Sequence, residues 1–431
     1  MALNIKTARS VDYRLNQFYA KRSLKPVTRL DDLRVPDSLA RRLVLTGNRQ
    51  LMMSEDARQW LREIVGLLEA AQIGGGFADY SDLYSATKKI IEAALSEGLR
   101  VENCRELLER LNETLAKEVD QRTFVVLLVG VELEGLDRLD IGEVSIEPAG
   151  VALLEAAGVH HAHANVSKHV AHSRAELWLL GRETGTPKVA LAKFTENSQL
   201  AVGILTVFAA AMHHWGSVGF RIATIMAPED TYQTSVFSSW AERDRSLVSH
   251  YRMPTQRFAI SPRIVEQLGD AWDAFPVAVQ KQDRSELEDA LRRATYWFAD
   301  AQRDTSVQMK LVKFCTAAES VFSTERDQVV KNVAIGIAST VCFSGVAANF
   351  DKPACKAIRD RVEVLYGMRS DVVHGASLRK VSDRDLGDLS QWVAWSLLAV
   401  AALSAHGYKT RERLAAENGR LYEQRSQLEQ S

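Results

Sequence analysis

Residues 366–375 read YGMRSDVVHG, and this stretch decides how the C-terminal third of the chain is interpreted. It lies in an otherwise apolar, helix-patterned segment, yet it carries Arg369 and His374 five positions apart and then stops on Gly375. Because a helix turns about 100° per residue, the two side chains would lie about 140° apart on an ideal helix. A glycine just past the last helical residue is a common left-handed C-cap. We therefore predict that a helix ends here and that His374, at the frayed end, can swing back towards Arg369.

An arginine and a histidine at this place have a structural and a chemical explanation. Both cations are stabilised by the negative end of the helix dipole. A histidine that titrates near neutrality can also exchange a proton with a ribose 2′-hydroxyl or a leaving oxygen, and a guanidinium can hold the charge that develops on a phosphorane. The pair suits phosphodiester cleavage without a metal ion. One residue of each kind is an incomplete acid–base set, so we expect an isologous homodimer that joins two motifs.

The sequence around this stretch predicts a helical bundle. Ser285 and Glu288 form a capping box, and apolar residues at helical spacing follow on one predicted face: Leu287, Leu291, Ala294, Trp297, Phe298 and Ala301. Further helices are predicted at about 307–323, 327–343, 352–374 and 384–406. The tail has Leu414, Leu421 and Leu428 at seven-residue spacing, which indicates either a short coiled-coil seam or a frayed helix that packs on the bundle.

The R-x4-H pattern within LYGMRSDVVHG, after a helix that carries KFCTAAESVF and before an amphipathic helix, resembles the HEPN superfamily and within it the Apea-like HEPN group. The resemblance covers about residues 285–410. It implies an all-helical, usually dimeric, metal-independent endoribonuclease domain of the kind often found in bacterial toxin and antiviral defence systems. It implies no cofactor and no metal ligand.

The resemblance also assigns roles to individual residues. Arg369 and His374 match the catalytic pair of the family. The supporting residues that we expect are listed here: Ser370, at a position where many relatives carry Asn, Asp or His; Asp371; Tyr366, three positions upstream of Arg369; and Glu319, which matches a glutamate on the second helix. From the residues alone, Glu319 is the single acid on an apolar helix stretch and should pair with Arg369 or Arg361.

The rest of the chain predicts an α+β fold. Helices should begin after Ser54, after residues 79–81 and at Asn103, and strands should cover TFVVLLVGVEL and GEVSIEP. AELWLLGRETGTPKVALAKF predicts two strands around a turn at residues 185–187, followed by a buried helix near 196–213, with short strands at 218–226, 235–241 and 256–261. We expect a helical region at 1–120, an α+β sensor or regulatory domain at 121–275, the bundle at 285–410 and a helical tail at 411–431.

Composition limits the class of protein. The chain has 431 residues, 46% of them hydrophobic, and a formal net charge of −1, which is typical of a soluble globular protein and not of a broadly basic nucleic-acid binder. An anionic ligand must therefore meet a local patch, and residues 352–384 hold a surplus of basic over acidic side chains. The widely spaced cysteines and the N-terminus, which has no signal-peptide pattern, favour the cytoplasm.

Five histidines crowd into HHAHANVSKHVAH: His160, His161, His163, His169 and His172. They either share a metal ion or form a polar surface rich in histidine, because no carboxylate or cysteine completes a recognised metal motif. Residues 1–260 carry no motif for a ligand, but regions attached to HEPN domains are commonly supposed to sense a trigger or to gate the nuclease. Two functions follow as hypotheses: a gated endoribonuclease that acts on RNA, and a non-catalytic module that binds a partner protein or RNA.

Overall fold

The computed structural model of the protein describes residues 3–20, 23–27, 43–46, 49–150, 177–214, 220–225, 237–240, 247–250, 257–343, 345, 347, 353–375 and 381–430. The predicted histidine cluster at 160–172 lies outside the described residues. The chain divides into two compact units: residues 1–124 with 182–194, and residues 125–181 with 195–431. The protein is rich in helix, with a mixed α/β part towards the N-terminus and a helical region towards the C-terminus.

The first unit has a helical core. Its helices are α1 (Ile5–Phe18), α2 (Glu55–Ala70), α3 (Tyr80–Ser96) and α4 (Cys104–Glu118), and β1 (Leu24–Pro26), β2 (Leu43–Thr46) and β3 (Arg49–Met53) form an antiparallel sheet in the order β1-β3-β2. The predicted helix starts are confirmed: the side chains of Ser54, Asp79 and Asn103 each accept a backbone N–H in the first turn. The sequence did not predict α1 or the sheet, because these strands are short and lack clear alternation.

All but one of the predicted strands of the middle third are confirmed. The strands are β4 (Asp120–Val129), β5 (Val131–Leu133), β6 (Leu139–Ile141), β7 (Val144–Pro148), β8 (Leu177–Gly185), β9 (Ala223–Ile225), β10 (Phe237–Trp240), β11 (Leu247–His250) and β12 (Phe258–Ile260). Five of them form a sheet in the order β6-β7-β8-β4-β9, β5 pairs with β12 in parallel, and β10 pairs with β11. Strands β6 and β11 were not predicted.

One strand prediction was wrong. The residues after the turn at 185–187 form α5 (Pro187–Met212) and not a second strand. The helix begins there because proline at the first helical position needs no hydrogen-bond partner for its nitrogen and already has a helical φ. The hydroxyl of Thr186 accepts the N–H of Val189 at 3.4 Å, which caps the new helix.

The helical region confirms the predicted helices. It contains α6 (Pro262–Leu268), α7 (Asp270–Gln280), α8 (Glu286–Arg303), α9 (Val307–Phe322), α10 (Val329–Phe343), α11 (Cys355–Val373), α12 (Asp383–Ala405) and α13 (Arg411–Gln430). Both hydrogen bonds of the capping box between Ser285 and Glu288 are present. The placement of Trp297 on the buried face was wrong, since 42% of this residue is exposed; it lies at the edge of the apolar stripe. Helices α6 and α7 were not predicted.

Helix α12 is the centre of this region and packs against α7, α8, α9 and α10. Its Trp395 is buried, and the indole N–H donates to the carbonyl of Ala211 at 2.8 Å. Within the described ranges, α12 is the one helix whose length and apolar composition would let it cross a membrane, and 72% of its apolar window is buried inside the protein. This burial is typical of the core helix of a globular domain.

The tail forms α13, a helix that packs mainly on α10. Leu414 and Asn418 are buried against the bundle, and the hydroxyl of Ser339 donates to the carbonyl of Asn418 at 2.8 Å. Leu421 is half-buried, and the side chain of Leu428 lies outside the described residues. Of the two predictions for the tail, packing on the bundle is the one that these contacts support.

Candidate functional site

The predicted end of the motif helix is confirmed. Helix α11 ends at Val373, and His374 is its C-cap residue, with its N–H donated to the carbonyl of Ser370 at 3.0 Å. Gly375 follows with φ +68°, in the left-handed region that glycine adopts without strain. The glycine therefore ends the helix directly after the histidine.

Arg369 lies on the last turns of α11 and faces α9. Its Nη2 atom is 3.2 Å from Oε1 of Glu319, and both side chains are about a quarter exposed, at 26% and 23%. Its Cζ atom lies 5.5 Å from the centre of the Tyr366 ring, within the range of a cation–π interaction. The structure thus brings together Arg369, Tyr366 and Glu319, and it selects Arg369 as the partner of Glu319. The other predicted partner, Arg361, instead pairs with Asp385.

The electrostatics of Glu319 are dominated by burial. Burial raises the pKa of Glu319 above its usual value, and the nearby guanidinium of Arg369 acts in the opposite direction without cancelling the effect. Cys315 lies one turn earlier on the same helix and is fully enclosed. Burial raises the pKa of its thiol to about 12, so it is a protonated, apolar neighbour of the ion pair.

Two donors in this cluster have no hydrogen-bond partner in the described part of the chain. The hydroxyl of Tyr366 and the Nε atom of Arg369 are buried, and no acceptor among the described residues reaches either of them. A buried donor without an acceptor costs about 1–3 kcal/mol. Arg369 is therefore held by one ion pair and one aromatic face, while part of its hydrogen-bonding capacity is unused.

His374 has different surroundings from Arg369. It is exposed, as are its neighbours Val373 and Gly375. No hydrogen bond or ion pair joins its ring to Arg369, although both residues belong to the described part of the chain. The predicted approach of His374 to Arg369 is therefore not marked by a hydrogen bond or an ion pair between these described residues. Ser370 and Asp371 lie half-buried between them on the last turn of α11.

The basic surplus at 352–384 is largely paired in the described residues. Carboxylates lie beside each of its four described arginines: Glu363 beside Arg359, Asp385 beside Arg361, Glu319 beside Arg369 and Asp388 beside Arg384. Lys352, Arg379 and Lys380 lie outside the described residues. The pairs reduce the positive field that the sequence count alone suggests.

Two residues of α13 support the site, and the sequence did not identify them. The hydroxyl of Tyr422 accepts a hydrogen bond from Nη1 of Arg359 on α11 at 3.2 Å. Arg411 donates from Nη1 to the carbonyl of Ser323, the C-cap residue of α9, at 2.8 Å. Helix α13 is therefore bonded to both helices that carry the Arg369–Glu319 pair. No local pattern could reveal this, because 63 positions separate Arg359 from Tyr422.

No group of three or more His, Cys, Asp or Glu residues suited to a metal ion occurs within the residues that the structure describes. No protein-family model matches the chain, and comparisons with curated proteins and with solved structures found no match.

Proposed function

We propose that the protein is a metal-independent endoribonuclease whose HEPN-type active site lies at the C-terminal end of α11. The proposal rests on the different surroundings of two residues at this helix end, one anchored and the other exposed. Arg369 is anchored by Glu319 and by the Tyr366 ring, and His374 is exposed at the C-cap. Charge stabilisation and proton transfer at a phosphodiester require a fixed guanidinium and an accessible imidazole, and this helix end carries one residue of each kind.

In this proposal His374 exchanges protons with the 2′-hydroxyl and the leaving 5′-oxygen, and Arg369 stabilises the charge on the phosphorane. Attack by the 2′-hydroxyl leaves a 2′,3′-cyclic phosphate on one product and a 5′-hydroxyl on the other. One histidine cannot be base and acid at the same moment, so we propose a homodimer in which the two motifs share one cleft.

The wider role follows from the resemblance. We propose that the nuclease acts in the cytoplasm in bacterial antiviral defence or as a toxin. An ungated ribonuclease would damage its own cell, so we propose that the part of the chain before the bundle keeps cleavage at a low basal rate, and that a trigger or an inhibitor partner acts through this part to raise or lower that rate.

A second function is favoured by the ion pair itself. Arg369 is partly buried and already neutralised by Glu319, which is also what a purely structural arginine would show. On this alternative the bundle is a non-catalytic module that binds a protein or RNA, and His374 only ends a helix.

The two functions are separated by incubating labelled tRNA and mRNA in EDTA with wild type, His374→Ala and Arg369→Ala. The endoribonuclease proposal expects cleavage by wild type and at least about a 100-fold loss in each variant. Arg420→Ala is the matched control, since Arg420 is an exposed arginine that pairs with Glu417 on α13, outside the basic stretch 352–384, and its loss should leave the rate unchanged. If wild type and the variants bind RNA and none of them cleaves it, the non-catalytic module is favoured.

A further inference from the structure

The guanidinium of Arg369 is turned into the protein. Nη2 is paired with Glu319, Nε is buried without an acceptor among the described residues, and the planar group lies near the Tyr366 ring. An arginine that stabilises a phosphorane offers two parallel N–H groups to the phosphate oxygens. In the observed conformation Nε cannot take part in such a fork, and a carboxylate occupies Nη2.

From this geometry we infer that Glu319 is an inhibitory counter-ion: it holds Arg369 in a resting state, and the substrate phosphate must displace the carboxylate before Arg369 can act. The inference rests on the proposed function, because it concerns the regulation of the same site. It replaces the expectation that Glu319 only orients the motif. An orienting residue would leave both Nη groups of the guanidinium free for the phosphate.

The Glu319–Arg369 pair has the properties of an ion pair that can be exchanged. The carboxylate of Glu319 makes no other hydrogen bond or ion pair among the described residues. Both side chains retain about a quarter of their exposure, so an anion can approach from the solvent side. Burial also disfavours the charged form of this carboxylate.

A second arginine pair of α11, Arg361 with the buried Asp385, shows the contrast. Asp385, the partner of Arg361, also accepts hydrogen bonds from the backbone N–H and the hydroxyl of Ser382, at 3.0 and 2.8 Å. The bond from the backbone N–H is one half of the capping box that begins α12. Displacing Asp385 would break a helix cap, whereas displacing Glu319 would break only the ion pair. Of these two pairs, only Glu319–Arg369 is suited to a switch.

The test compares full-length wild type, Glu319→Gln and Glu417→Gln for RNA cleavage in EDTA. Glu417 is the matched control, since its side chain is also 23% exposed and pairs with an arginine, Arg420, on α13. If Glu319 restrains Arg369, Glu319→Gln cleaves about tenfold faster than wild type and Glu417→Gln does not differ from it. An unchanged or lower rate in Glu319→Gln overturns the inference and leaves the endoribonuclease proposal standing.

A binding measurement separates this inference from the proposed function. In the His374→Ala background, fluorescence anisotropy records the affinity for a labelled 2′-O-methyl RNA, which has no attacking hydroxyl. Glu319→Gln should tighten binding by about tenfold, and the further change Arg369→Gln should abolish the gain. If no protein cleaves RNA, the proposed function fails, but this result still decides the inference. Binding that Glu319→Gln does not tighten, or a gain that survives without Arg369, overturns it.

Discussion

The guanidinium of Arg369 is half-buried against Glu319, whereas the imidazole of His374, five residues later, is exposed at the C-cap of α11. The two residues of one short motif therefore depend on different parts of the protein. Arg369 is positioned by the packing of α9 against α11, and His374 is positioned by the way the helix ends. Substitutions at the two positions should therefore differ in their effect on the stability of the protein even where they have the same effect on its activity.

His374→Ala should abolish cleavage and change the free energy of unfolding by less than about 0.5 kcal/mol, since the ring is exposed. Arg369→Ala should also abolish cleavage, but it should destabilise the protein by about 1–3 kcal/mol because Glu319 is left half-buried without its partner. Urea unfolding of both variants checks the difference. Equal destabilisation by the two changes would contradict the geometry.

Gly375→Ala tests whether the helix end positions the histidine. With φ +68° and no atom within 4 Å of an added Cβ, the substitution should cost about 1–2 kcal/mol through backbone strain alone, and cleavage should fall as His374 shifts. Gly367→Ala is the control, because Gly367 lies inside α11 and also has open space around it. This substitution should stabilise the protein by about 0.5–1 kcal/mol. Loss of activity in the control alone would refute this reading of the C-cap.

The dimer is tested by mixing wild type with inactive His374→Ala. A wild-type homodimer has two histidines in one shared cleft, whereas a mixed dimer has one and lacks either the base or the acid. After subunits exchange, the rate should therefore fall with the square of the wild-type fraction, with sedimentation confirming the dimer. A rate that falls only in proportion to the wild-type fraction would rule out a site that needs both histidines.

The C-terminal helix should matter for activity although it carries no motif residue. Tyr422→Phe removes the hydroxyl that accepts from Arg359, and it should cost about 1 kcal/mol while increasing hydrogen exchange in α11. The substitution should lower kcat more than it changes KM, because a positioning residue acts on the geometry of Arg369 and not on substrate binding. Arg420→Gln, an exposed change on the same helix, should leave exchange and rate unaltered.

Glu288 should make the helical region sensitive to acid. Burial opposes ionisation, but the backbone N–H and hydroxyl of Ser285 and the ammonium of Lys409 lower the pKa of this carboxylate to about 2. A folded-state pKa below the unfolded value gives stability that is present above about pH 4.5 and is lost as the pH falls towards about 2. Because the partner lysines are nearly half exposed, solvent screens the pairs, and we expect ionised Glu288 to contribute about 1–3 kcal/mol to the free energy of unfolding. Glu288→Gln should remove this part of the pH dependence of urea unfolding, and an unchanged profile would contradict it.

Local features were predicted well because they depend on neighbouring residues. The caps at Ser54 and Ser285 and the end of α11 at Gly375 follow from side chains within four positions of one another. The prediction of a second strand after Gly185 was wrong, because the apolar alternation there is short and the preference of Pro187 for the first position of a helix outweighs it.

Long-range contacts were predicted only in part. The sequence limited the partner of Glu319 to two arginines, and packing of α9 on α11 selects Arg369. The bonds from Arg411 and Tyr422 could not be predicted, since nothing in the local sequence indicates where α13 lies. The inward orientation of the Arg369 guanidinium is likewise a result of packing, and it is what leads to the inference about Glu319.

The most direct test of the central claim is the chemistry of the RNA ends produced in EDTA. Wild type should release fragments that end in 2′,3′-cyclic phosphate and begin with a 5′-hydroxyl, His374→Ala should release none, and a single 2′-deoxy nucleotide at the scissile position should block that cut. Fragments with 3′-hydroxyl ends, or equal cleavage by wild type and His374→Ala, would contradict the account.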